Sequence, residues 1–119
     1  MTDKAAAGDH LFIADLLVEA PIPARGILSQ TLSDEHDVRL VVFSFAAGEE
    51  LSEHTAARPA IVHILVGEAE VVAGGRSFAA AAGSWLRMDL GTAHAIRARS
   101  GMVMALYLLP VPSDLPVTT

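Results

Sequence analysis

Short apolar runs of about strand length, broken again and again by glycine, cover most of this chain. They lie at 40–45, 61–66, 70–73, 76–80, 85–88, 95–99 and 102–109. Their content of valine, isoleucine and other apolar residues, with turn residues between them, predicts strands. Gly74-Gly75 separates two of the runs and suits a two-residue hairpin, whose favoured turn requires positive φ at both central positions. Beyond Gly26 no segment holds a 3.6-residue apolar period over the roughly ten residues a stable helix needs. Residues 11–18 read equally as a helical turn or a strand, and Pro21 and Pro23 close them either way. About seven or eight short strands and no sustained repeat predict an all-β sandwich or barrel.

At 119 residues the expectation is one domain, 1–119, with its core at about 26–110 and flexible termini or arms at 1–9 and 111–119. The formal charge is -6, and the eight Lys and Arg are scattered, so a clustered basic footprint for phosphate backbones is missing. Nucleic acid and anionic membrane are therefore not expected partners. No apolar stretch approaches the roughly 20 residues of a spanning helix. The first ten residues carry Lys4 alone among Lys and Arg, and the apolar run after them contains Asp15. No secretory signal is expected, and cytoplasmic location is the default. With no cysteine, disulfides and thiolate metal sites are excluded.

Two glycine-anchored patterns carry the candidate chemistry. From Gly48 the chain places His54 after five residues, then Ala56, Ala60 and Gly67; further on, Gly83, Asp89, Gly91, His94 and Ala98 follow in order. The first resembles the cupin signature G-x5-H-x-H-x3-E-x6-G, with the second histidine replaced by Ala56 and the glutamate by Ala60. The second resembles G-x5-P-x-G-x2-H-x3-N, with Asp89 for the proline and Ala98 for the asparagine. Together they span 48–98, and the chain is similar to small single-domain cupins of the cupin 2 type. That resemblance implies a double-stranded β-helix, the jelly-roll cupin barrel, with its site at the mouth.

The resemblance also implies a divalent transition metal held by two histidines, a glutamate and a third histidine. Carried over residue by residue, only His54 and His94 remain as metal ligands, and two imidazoles leave most of a coordination shell unfilled. No cofactor is certain on these residues. If Ala60 faces the lumen, strand alternation sends Val62 and Ile64 the same way and His63 outward with Ile61 and Leu65. The expected ligand pocket is thus His54, Val62, Ile64, Met88 and His94, with Leu86 as an alternative to Met88. Glu50 shares parity with His54 and is the acidic candidate for a compensating ligand, although a solvated turn carboxylate is the simpler reading. Arg58 and Arg87 are candidates for an anionic ligand, against the simpler reading of surface arginines whose stems cover apolar neighbours. His10 and His36 fall in polar segments and are expected in solvent.

Three functions stay open on the sequence. The preferred one is a small-molecule-binding cupin with a degenerate metal site. The alternatives are a metal-dependent dioxygenase or isomerase using His54 and His94, and a metal-free enzyme in which one of them is general acid or base. The substrate and the catalytic residues are not legible. A homodimer is expected, because Ile61, Leu65, Met102, Met104 and Leu106 are not expected all to face one narrow lumen, and an outward apolar face needs cover.

Overall fold

The computed structural model describes residues 5–6 and 9–112; of the expected flexible termini, 1–4, 7–8 and 113–119 lie outside the described residues. Eleven strands follow in chain order among them: β1 (Ala5–Ala6), β2 (Leu11–Phe12), β3 (Ile27–Glu35), β4 (Val38–Phe45), β5 (Glu50–Thr55), β6 (Ala60–Val66), β7 (Glu68–Ala73), β8 (Arg76–Ala81), β9 (Trp85–Met88), β10 (Ala93–Ala98) and β11 (Met102–Leu108). One 3-10 turn, Leu16–Glu19, is capped by Asp15, whose carboxylate accepts from the Leu17 amide at 2.9 Å. The open reading of 11–18 thus resolves into both alternatives, a two-residue strand followed by a helical turn.

Two antiparallel sheets carry the fold, ordered β5-β10-β7-β8 and β3-β4-β11-β6-β9. From β4 onward the chain crosses between them at nearly every connection, pausing only for the β7–β8 hairpin. That alternation is the winding of a double-stranded β-helix. At the hairpin tip Gly74 and Gly75 take φ of 58° and 79°, as the two-residue turn demands.

Strand β6 shows the packing rule in its cleanest form. Ala60, Val62 and Ile64 are buried and alternate with half-buried Ile61, His63 and Leu65, because successive side chains leave opposite faces of the pleat. The buried face meets Phe45, Ala69, Val71, Met88, Ile96, Ala98, Met102 and Met104 between the sheets. β11 instead reads as a continuous apolar run and is buried from Met102 to Ala105. It lies between β4 and β6, and its outer face is covered as well, by a cluster of Leu32, Val42, Val103, Leu65, Ile13, Leu16 and Ala20. A strand covered on both faces loses its alternation.

This packing corrects the grounds on which a homodimer was expected. Met102 and Met104 are core residues, Leu106 packs against them, and Leu65 lies under the chain's own N-terminal segment. The lumen takes up the supposed surplus because both sheets contribute facing layers to it. Of the five residues only Ile61 is left outward without this cover.

Candidate functional site

His54 and His94 meet through strand pairing. They stand directly opposite each other in the β5–β10 ladder, with ring centroids 4.1 Å apart and planes tilted by 60°. Cross-strand partners are the closest side-chain neighbours a sheet offers, so residues forty positions apart in sequence become one imidazole pair. His94 is buried, while His54, on the edge strand, is exposed.

Each ring is held by the backbone carbonyl of the residue two positions before it. His54 Nδ1 lies 2.9 Å from the Ser52 carbonyl oxygen, and His94 Nδ1 lies 3.0 Å from that of Thr92. A carbonyl oxygen only accepts, so each Nδ1 carries the hydrogen, and in the neutral ring each Nε2 is left as a bare acceptor. The Thr92 carbonyl also accepts from the Ala56 amide at 3.0 Å. One backbone oxygen therefore orients His94 and ties the loop after β5 to the turn before β10.

A cavity of about 270 Å³ opens at this pair. Its wall is formed by His54, Thr55, Ala56, Ala57, Arg58, Ala60, Met88, His94, Leu106 and Leu108. The expected pocket residues His54, Met88 and His94 come together here. Val62 and Ile64 do not: they face the lumen but line a second cavity of about 300 Å³ with Val71, Phe78, Trp85 and Leu86. A strand advances about 3.3 Å per residue, so each step of two along β6 from Ala60 goes deeper and away from the mouth. Leu106 and Leu108 take their place, because β11 pairs with β6 and puts them opposite Val62 and Ala60. Leu106 and Leu108 share parity with the core residue Met104, which is the sequence signal that could have found them.

Glu50 is also displaced from the site. The β5–β10 register slips between His94 and Ile96, which sets Leu51 against Ile96 and Glu50 against Arg97. The irregularity breaks the two-residue alternation. Leu51 packs on the core while Glu50 is exposed, the solvated carboxylate of the simpler reading.

Arg58 lines the cavity but its guanidinium is already engaged. Nε donates to the Leu109 carbonyl at 2.9 Å, and Nη2 lies near the Leu108 carbonyl, the Asp37 carbonyl and the Asp37 carboxylate. It clamps the loop before β6 to the end of β11 and to the β3–β4 turn, where His36 and Asp37 hold positive φ. Arg87 is exposed and sits 3.5 Å from Asp89 in an ion pair. Arg87 thus lies outside the cavity wall, and Arg58 meets it with Nε and Nη2 already committed. His63 lies on the outer face opposite Trp85, and His10 and His36 are exposed.

The donor set does not fit the metal that the signatures imply. Ala56 and Ala60 line the cavity where a histidine and a glutamate would stand, and no cluster of three His, Asp or Glu able to hold an ion exists among the described residues. The two imidazoles keep the tautomer and backbone anchor typical of metal ligands; the other half of the shell is missing.

A two-sheet jelly roll with a paired-histidine mouth and signature glycines at its turns defines a cupin-type barrel. By its fold the chain is a small cupin-type domain. It is similar to a conserved protein of unknown function from Streptococcus pyogenes, at 31% identity over 89% of this chain and 92% of that one, TM-score 0.77. It is also similar to a cupin superfamily protein from Desulfitobacterium hafniense, at 28% identity over 76% and 84% of the two chains, TM-score 0.69. An RmlC-like cupin from Desulfovibrio desulfuricans matches at 26% identity over 72% and 84%, TM-score 0.64. No protein-family profile matches the sequence, and no curated protein does. No helix among the described residues is long and apolar enough to cross a membrane.

Proposed function

We propose that this protein is a small-molecule-binding cupin whose ligand occupies the mouth cavity and is held by the imidazole pair in place of a metal ion. One observation carries the reading: the signature positions retain two anchored imidazoles beside an apolar cavity of about 270 Å³, with alanine at the other two ligand positions. Mostly apolar walls with a few converging polar groups are what small-ligand sites share. The bare Nε2 atoms also favour, as a second reading, metal-free acid–base chemistry on a bound ligand. A homodimer remains part of the proposal on narrower grounds: the outward Ile61, paired with Arg87, and on the same edge strand β9 Trp85, paired with His63 and 59% exposed.

The test is metal loading followed by a fragment titration. Protein incubated with manganese, iron, nickel or zinc and then desalted is expected to retain far less than one ion per chain. Small apolar fragments carrying one polar group are expected to shift the Met88, Leu106 and Leu108 methyl resonances saturably. One tightly held ion per chain, lost in His94→Ala, would contradict this reading and establish the metal-dependent one.

A further inference from the structure

We infer that the mouth cavity selects a small uncharged molecule that donates a hydroxyl hydrogen to the imidazole pair: a neutral alcohol or phenol with an apolar body. The inference rests on the ligand-binding reading above and narrows it to a chemical class.

The pair has acceptors and nothing to fill them. Both Nδ1 hydrogens are committed to the Ser52 and Thr92 carbonyl oxygens. In their neutral forms neither ring has a second hydrogen to give the other, so the two cannot satisfy each other although their centroids are 4.1 Å apart. Two bare Nε2 acceptors therefore share one end of the cavity, and the complementary ligand atom is a donor.

The remaining wall excludes charge on the ligand. An anion would have to compete for Arg58, whose Nε and Nη2 are held by three carbonyl oxygens and by the Asp37 carboxylate at 3.3 Å. An ammonium finds no carboxylate, since neither Asp nor Glu lines the cavity. Taking either charge out of water without a partner is unfavourable. Ala56, Ala60, Met88, Leu106 and Leu108 supply apolar surface for the body of the ligand. An apolar molecule without a hydroxyl would cover the imidazoles and cut their Nε2 atoms off from water, a penalty the hydroxyl removes.

Phenol, toluene and benzoate, matched in their ring, separate the terms. The full chain is titrated with each at about pH 8, where imidazole and phenol are ordinarily neutral, and followed through the His54 and His94 ring protons and the Met88 methyl. Phenol is expected to saturate these signals with an affinity at least about tenfold above both toluene and benzoate. In His94→Phe, or in His54→Phe at the exposed position if the first variant does not fold, the preference for phenol over toluene is expected to collapse to parity. Benzoate or toluene binding as tightly as phenol at the same resonances would overturn the donor rule and leave a ligand cavity standing. Failure of all three to move these resonances would overturn the rule together with the reading it rests on.

Discussion

Alanine at Gly67 is expected to lower the thermal midpoint by roughly 10–20 °C, while alanine at Gly74 lowers it by only a few degrees. Gly67 is the single residue between β6 and β7, where the chain passes from one sheet to the other with φ at 88°. The β10–β11 crossing runs alongside it, so a Cβ at Gly67 would sit 2.3 Å from the Gly101 carbonyl oxygen and 2.5 Å from Met102 Cβ. The Arg99 amide donates to the Glu68 carbonyl at 2.9 Å, and the Glu68 amide donates to Ser100 Oγ at 3.0 Å, which leaves the two backbones little room to part. A left-handed L-residue costs about 1–2 kcal/mol, and forced overpacking adds about 1–3 kcal/mol. Gly74 also holds positive φ but has nothing within 4 Å of the added carbon, so its variant isolates the backbone term. Thermal unfolding of the pair by circular dichroism checks this; equal midpoints would show that the crossing is not closed by contact.

Phe45→Ala is expected to cost about 3–5 kcal/mol, seen as a lower urea midpoint at unchanged slope. Phe45 is fully buried on the last position of β4, opposite Ile27 on one side and Met102 on the other, with its ring 6.3 Å from that of Phe43. Neighbours paired on both sides cannot collapse into the space a ring leaves behind, so the cavity persists. Phe12, at 62% exposure, supplies the contrast: its alanine variant is expected within about 0.5 kcal/mol of the parent. Comparable losses at the two positions would place the core elsewhere.

The strands most legible in the sequence are those written as mostly apolar runs between turn residues, whether buried, as β6 and β11 are, or largely exposed, as β8 and β9 are. β6, β8, β9 and β11 begin and end within a residue of the apolar runs that announced them, and the signature glycines Gly48, Gly67, Gly83 and Gly91 all hold positive φ at turns. β3 went unseen because Ser29, Gln30, Thr31, Ser33, Asp34 and Glu35 break its pattern; as a sheet edge facing water it is held by pairing with β4 rather than by burial. β5, largely exposed and also at an edge, was hidden for the same reason.

At the site, the resemblance to the two signatures placed His54 and His94 together, and the β5–β10 register is what pairs them. The depth of the cavity was not legible: parity says which face Val62 and Ile64 occupy, but not how far along the barrel they lie. Glu50 misled because the register slip in the β5–β10 ladder leaves no mark in composition. The engagement of Arg58 was hidden too, since its acceptors at Asp37, Leu108 and Leu109 are distant in sequence and mostly backbone.

On the proposed function, the mouth holds two imidazoles that each keep hydrogen on Nδ1 against a backbone carbonyl and turn Nε2 to a ligand rather than to a resident ion. Long-range proton–nitrogen correlation spectra of the histidine rings, recorded before and after zinc addition and desalting, test it most directly. Protonated Nδ1 and unprotonated Nε2 are expected on both His54 and His94, with the spectrum unchanged once zinc has been removed by desalting. Hydrogen on either Nε2, or a coordination shift at both Nε2 atoms that survives desalting, would contradict it.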